Sequence, residues 1–233
     1  MEVLTKEAVM LIKQGKGKID WTDYSWNPVS GCYHNCSYCY MQRMVKRGFY
    51  SMKPAFHPER LGEVIKLKKP SKIFVCSSGD MFGEWVEKDW VEAVISIVKE
   101  LPQHTFQFLT KNPNRYSEFS FPKNCWLGTT IDGLPRTINN ARILTELKHK
   151  NIIRFVSFEP LLNDVHEHFT SNGNKKIFEN LDWIIIGADS NKNAEKAPDV
   201  WAEELISMAR ESHIPVWIKD NYGYPEIIKE FPK

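Results

Sequence analysis

Long apolar runs are missing from this sequence of 233 residues. The longest, such as Ile184-Ile185-Ile186, fall far short of the ~20 residues a membrane span needs. A strong charge of one sign is also missing. Lys and Arg number 31 and Asp and Glu 29, a formal net charge of +2, so the chain as a whole shows no electrostatic footprint for nucleic acid. The basic clusters Lys66–Lys69 and Lys148–Lys150 are short and read as solvated helix ends. No internal repeat, low-complexity tract or linker interrupts the chain. Cysteine is scarce: there are five, an odd number, and three crowd into eight positions. That excludes a disulfide framework and points to metal ligation in a reducing compartment. Met1–Lys18 has an early acid and only a short apolar stretch, Ala8–Ile12, which does not fit a signal peptide. The expectation is a cytoplasmic protein with no membrane partner. With 42% hydrophobic and 26% charged residues, it should form a sizeable core as a single domain over 1–233.

What is present is an alternation. Near-continuous apolar runs rich in β-branched and aromatic residues predict strands at Trp26–Gly31, Lys72–Ser78, Thr105–Lys111, Cys125–Ile131, Ile153–Glu159, Asp182–Ala188 and Val216–Lys219. Between them, helical spacing appears in Val86–Leu101 (Trp90, Val94, Ile97, Leu101), Pro135–Lys150 (Ile138, Ala141, Leu144, Leu147) and Pro198–Arg210. Strands alternating with helices imply an α/β fold with a parallel sheet and right-handed crossovers. Six or seven such units suit a partial (β/α) barrel smaller than the full eightfold form. An open doubly wound sheet is the alternative.

In such folds the site lies at the C-terminal edge of the sheet. Polar groups recur there: Ser77-Ser78-Gly79-Asp80, Thr110-Lys111-Asn112, Thr129-Thr130, Ser157 and Glu159, Asp189-Ser190, and Lys219-Asp220-Asn221. Any one of them fits an ordinary polar loop. Their recurrence strand after strand favours a cleft with chemistry, in which Asp80, Lys111, Glu159 and Lys219 converge as candidate catalytic residues. Lys111 and Lys219 could also hold an anion.

The first strand runs into Gly31-Cys32-Tyr33-His34-Asn35-Cys36-Ser37-Tyr38-Cys39-Tyr40, a C-x3-C-x2-C spacing with an aromatic residue before the last cysteine. Thiolates so placed suit an iron–sulfur cluster or zinc. In a four-iron cube, three cysteines of one loop hold three irons and leave the fourth open. That open iron can chelate the amino and carboxylate groups of S-adenosylmethionine (SAM), the cofactor that carries the chemistry. Gly31 would let the backbone bend into the loop. A structural zinc needs four ligands, so a fourth would come from His34, His57, Cys76 or Cys125. Cys76 and Cys125 lie within apolar strands and read as core, which leaves one cluster.

The motif after a first strand is the hallmark of the radical SAM superfamily. The chain resembles one uncharacterised, phage-associated branch of it, of unknown function. Trp21–Pro28, Phe56–Leu61, Asp80–Gly83, Phe106–Arg115, Trp126–Gly128, Phe155–Leu162, Asp182–Ser190 and Lys219–Asn221 match in order. Many members of that branch space the first two cysteines further apart, with Asn before the third; here the spacing is tighter and Tyr38 stands there. Asp189 replaces a more usual Glu. The resemblance implies a [4Fe-4S] cluster on Cys32, Cys36 and Cys39, and SAM as cofactor. It places Tyr38 near the adenine, Ser77, Ser78, Gly79 and Asp80 near the methionine amino group, Thr129, Thr130 and Asp132 near the ribose, and Glu159 and Gly187 near the adenine or substrate. An electron donor of flavodoxin or ferredoxin type is implied. No substrate is, although a nucleotide or nucleic acid fits.

Two readings of a different class stand beside this one: a zinc-bound nucleic-acid-binding or hydrolytic α/β protein, and a SAM-type fold that has lost catalysis. His166 and His168 read as surface residues rather than a metal pair. Trp21, Tyr24 and Trp26 read as core, closing the barrel bottom or the loop before the cysteines, rather than as a platform for a base.

Overall fold

The computed structural model describes residues 11–48, 50–149, 151–171 and 174–233. The apolar stretch Ala8–Ile12 and the end of the helix expected over Pro135–Lys150 fall partly outside these. The main sheet has eight strands. Seven are parallel and follow one another in space in chain order: β2 (Tyr24–Trp26), β5 (Lys72–Val75), β6 (Thr105–Thr110), β7 (Cys125–Thr130), β8 (Ile153–Phe158), β9 (Trp183–Ile186) and β10 (Val216–Ile218). The strand β1 (Leu11–Lys13) adds antiparallel to β2. A small ladder of β3 (Val29–Ser30) and β4 (Ala55–Phe56) sits beside the sheet.

Strictly sequential order contains no reversal, so the sheet is wound in one sense as a partial barrel and the doubly wound alternative is set aside. The helices that pack on it include α2 (Lys88–Lys99), α3 (Asn140–Glu146), α4 (His166–Thr170), α5 (Lys175–Glu179) and α6 (Asp199–Glu211). A short helix α1 (Tyr40–Lys46) follows the cysteine loop. Among the described residues no helix is long and apolar enough to cross a membrane.

Three expectations change. The run Trp26–Gly31 is split into β2 and β3, because Pro28 has no N–H to continue the ladder. In α2 the buried stripe is Val91, Val94, Ile95 and Val98, while Trp90 and Ile97 pack at its margins. The helix expected from Pro135 begins only at Asn140. Residues 133–139 instead turn around Asp132, whose carboxylate accepts from the Leu134 N–H (3.1 Å) and the Thr137 hydroxyl.

Alternation along the strands separates two cores. Outward residues such as Ile73, Val75, Phe106, Phe108, Leu127, Val156, Phe158, Ile184 and Ile186 meet the helices. Inward residues build a second, aromatic core of Trp21, Phe74, Phe155, Trp183, Ile185 and Trp217, joined by Trp126 and Phe231. Trp21 lies in its middle, 4.7 Å from Phe74 and about 6 Å from Phe155 and Trp183, centroid to centroid. It closes the barrel bottom as expected. Trp26 instead faces the helices, and its indole N–H donates to the Arg60 carbonyl. Gly128 faces inward; a Cβ there would come within 2.3 Å of the Phe155 ring, so its absence seats that ring.

The last residues close the seam between the sheet's two edges. Lys229 pairs with Asp20 and Asp220, the Trp217 indole donates to Asp20 (3.2 Å), and the Trp183 indole donates to the Glu230 carbonyl (2.8 Å).

Candidate active site at the barrel mouth

Inward residues change character as each strand climbs. On β8 and beyond the order is Phe155, Ser157, Glu159; on β10 it is Trp217, Lys219; on β7 it is Trp126, Gly128, Thr130. The aromatic floor thus gives way to a cleft of about 690 Å³ with polar side chains around its mouth. Its walls include Cys32, Cys36, Cys39, Tyr38, residues 77–80, Lys111, Thr130, Ser157, Glu159 and Lys219. The four candidate catalytic residues therefore share one cleft. Thr129, Asp132 and Gly187 do not line it. Thr129 fails by parity: it shares the outward face of Cys125 and Leu127, and its hydroxyl donates to the Thr110 carbonyl at 2.8 Å.

The cysteine loop is bound to strand ends around the mouth. Gly31 enters it at φ +83° beside Gly79, and the Gly31 N–H donates to the Ser78 carbonyl at 3.2 Å. A Cβ on Gly31 would meet the Lys53 carbonyl oxygen at 2.3 Å, and one on Gly79 the Gly31 oxygen at 2.7 Å, so both positions require glycine. His34 pairs with Asp80 at 2.8 Å. The Tyr38 hydroxyl donates to Asp132, and Asn191 donates to the Tyr38 carbonyl at 3.3 Å. Tyr40 donates to the Ser77 carbonyl at 2.6 Å.

Asp80 is the centre of this fastening. Besides His34, it accepts from Thr110 Oγ1 (2.7 Å), the Lys111 N–H (2.9 Å) and the Phe82 N–H (3.0 Å). Four partners fill a carboxylate's lone pairs. Burial would raise its pKa, but the His34 contact and the other hydrogen bonds outweigh this and hold it below the ordinary value. Asp132, fully buried, is kept ionised in the same way against burial, by Thr137 and Tyr38 first; Tyr38 is correspondingly pushed up by burial and by that acceptor. Asp132 and Tyr38 thus face each other. Asn27, buried at the end of β2, receives the Ser78 N–H (2.9 Å) and the hydroxyls of Ser78 (3.0 Å) and Ser77 (3.2 Å). The Arg136 guanidinium adds a further donor to Asp132 at 3.3 Å; Asn27, Arg136 and Asn191 were not among the expected site residues. For Asn27 the available signal was its place directly after a strand and before a proline.

The other side of the cleft carries charge. Glu159 and Lys219 form a close, half-buried ion pair. A Cβ on Gly187 would lie 3.0 Å from the Glu159 side chain and 3.2 Å from that of Lys219, so this glycine makes room for the pair. The Lys111 ammonium lies 5.5 Å from the Tyr38 ring centroid. Two buried polar atoms on the cleft wall, Ser157 Oγ and Trp21 Nε1, have no partner among the described residues. Unsatisfied groups of this kind call for a polar ligand or water.

Among the described residues no three His, Cys, Asp or Glu side chains converge as one metal ion requires. The candidate fourth zinc ligands are used elsewhere. His34 is held by Asp80, His57 faces Ser30 and Glu59, and Cys76 and Cys125 are core. A cube places its thiolates on separate irons and needs no such convergence. The donor set fits one. Burial, then the charges of Asp80, Cys36 and Cys39, push the Cys32 thiol up to about 12, so it stays protonated on its own and would ligate only where a bound cation favours the thiolate. His166 and His168 lie on α4, where residues two apart diverge, and neither lines the cleft.

The fold is similar to that of spore photoproduct lyase. A mutant of that enzyme with bound AdoMet and dinucleoside spore photoproduct superposes with a TM-score of 0.54 at 8% identity, over 89% of this chain and 65% of that one. The lyase complexed with dinucleoside spore photoproduct gives 0.58 at 8% identity, over 92% and 80%. The chain thus spans 65% of the length of the first of these. Residues 16–230 match the family described as "Protein of unknown function (DUF5131)", and the chain belongs to that family. No curated protein sequence matches it significantly.

Proposed function

We propose that this chain is a radical SAM enzyme, holding a [4Fe-4S] cluster on Cys32, Cys36 and Cys39 and SAM in the adjoining cleft. The observation that carries this reading is the three-cysteine loop fastened across the C-terminal mouth of a partial barrel by strand-end side chains. Such a cluster, when bound, would supply one electron for the reductive cleavage of SAM and so the means of abstracting hydrogen from a substrate. Asp80 and Asp132 are positioning residues: they hold the loop through His34 and Tyr38 and have no capacity left for a ligand. Ser77, Ser78 and Gly79 supply the rim against which SAM lies. Thr130, Lys111 and the Glu159–Lys219 pair present fixed donors and acceptors to SAM and substrate. The dinucleoside bound by the structurally similar lyase supports a nucleotide or nucleic-acid substrate. A one-electron carrier of flavodoxin or ferredoxin type would reduce the cluster, which fits a reducing cytoplasm.

Anaerobic reconstitution with iron and sulfide tests this reading. The protein should turn brown, its reduced electron paramagnetic resonance signal should change on adding SAM, and 5′-deoxyadenosine should form slowly without substrate. Replacing Cys32, Cys36 and Cys39 together by Ala should remove the iron while circular dichroism stays native. Lys111→Ala and Glu159→Ala should keep the colour and lose SAM cleavage or turnover. A colourless protein, or iron unchanged in the triple variant, sinks the assignment.

A further inference from the structure

The near-neutral total charge hides an uneven distribution. Between Asp23 and Glu59 there is no Asp or Glu, yet Arg43, Lys46, Arg47 and Lys53 lie there, so the rest of the chain is net acidic. This acid-free segment is the one that carries the cysteine loop and α1. Arg43, Lys46 and Arg47 are three and four residues apart on α1, share one face and are exposed, as is Lys53. Among the described residues none of the four has a carboxylate within 4.0 Å; other surface cations such as Lys99 and Lys123 are unpaired too, but here four lie together in a stretch without acids. Unpaired like charges on one face repel each other, and they persist where a ligand of opposite charge offsets the repulsion.

Aromatic faces accompany the cations. Tyr33 is 54% exposed and Tyr40 43%, and the Tyr33 ring packs 5.4 Å from that of Trp85. Arg43 and Tyr50 belong to the cleft wall itself, so whatever covers this face also reaches into the cleft. Cations that track a backbone, with exposed rings for bases to stack on, are the combination that binds single strands. A cleft of about 690 Å³ admits a nucleotide but not a duplex, whose base would first have to leave its stack.

We propose that the α1 rim binds single-stranded nucleic acid, with Arg43, Lys46, Arg47 and Lys53 on phosphates and a nucleotide directed into the cleft. The inference deepens the radical SAM reading by naming the substrate class of the same site, and rests on it only for what then happens to that nucleotide. An acidic protein docking on α1 would need the cations, but neither the exposed rings nor the contact with the cleft wall.

The test is fluorescence anisotropy of reconstituted, full-length protein with labelled single-stranded DNA and RNA of mixed sequence at 50 and 200 mM salt. Four phosphate contacts on a single strand predict affinity falling roughly 50-fold between the two salts. R43E/K46E/R47E should weaken low-salt binding more than roughly tenfold and flatten the salt dependence. K66E/K68E/K69E, just ahead of β5 at the opposite end of the barrel, should change neither. Iron content and circular dichroism verify that each variant is folded. No binding at low salt, or equal loss in both variants, overturns the proposal. So does an α1 variant that binds strands normally but is reduced more slowly by an acidic one-electron carrier, which would assign the face to a protein partner. Substrate-free 5′-deoxyadenosine formation in the same samples separates the two readings: binding without it removes the radical chemistry, and its presence without binding removes only this inference.

Discussion

The floor and the mouth of the barrel are built from the same strands by opposite rules. At the floor, Trp21, Phe74, Phe155, Trp183 and Trp217 fill the interior with rings that touch one another and almost no charge. Two to four residues further along, the inward positions are Ser157, Thr130, Glu159 and Lys219, with an unpartnered hydroxyl and a close ion pair. Apolar burial contributes at the floor; at the mouth, desolvated polar groups cost stability unless something pairs with them. Stability is concentrated at one end of each strand and binding capacity at the other.

The largest break in that contrast comes from emptying the floor. Phe155→Ala should destabilise the fold by ~3–5 kcal/mol, read as a lowered denaturant midpoint, while the fraction that remains folded binds its full complement of iron. A loss below ~1 kcal/mol would mean that the floor is not where stability lies.

Asp80→Asn probes the mouth's own fastening and should cost ~2–3 kcal/mol, because an ionised acceptor with four partners is replaced by one oxygen and a donor. The pH dependence gives an independent readout. The folded pKa of Asp80 is depressed, so its stabilisation is present above the ordinary value of 3.8 and is lost as pH falls below it. The Asn variant should lose that part of the acid sensitivity, seen in unfolding measured from pH 6 to 2. An unchanged slope would show that other carboxylates carry it.

Smallest are the two cysteines outside the loop. Cys76→Ala and Cys125→Ala should each cost ~1 kcal/mol for lost burial and leave iron per chain unchanged. Iron lost from either would draw the core into the site.

Much of the floor and part of the mouth were legible in the sequence. Six of the seven apolar runs coincide with parallel strands, while the first touches β2 only at Trp26; three cysteines in eight positions marked the loop, because these signals are local. The fastening was not local. His34 meets Asp80 46 residues on, and Tyr38 meets Asp132 94 residues on, so no window of spacing joins them. Thr129 and Thr130 look alike in sequence, and only the register of β7 sends one into the cleft and the other toward the helices. The short strand β1 escaped because three residues carry too little periodicity to read, and the closing role of Phe231 because a lone aromatic near the end of a sequence resembles any other.

The seam has a consequence for the order of synthesis. Asp20 finds Lys229 only after 209 further residues have been made, and Phe231 reaches the aromatic floor later still. On the ribosome the strands can pair one after another as they emerge, but the barrel cannot be sealed until residues 229–231 have emerged as well. Throughout that interval the cysteine loop, made within the first forty residues, waits on an open sheet. A cluster held by this loop would therefore be completed only after β7 has emerged and Asp132 has met Tyr38.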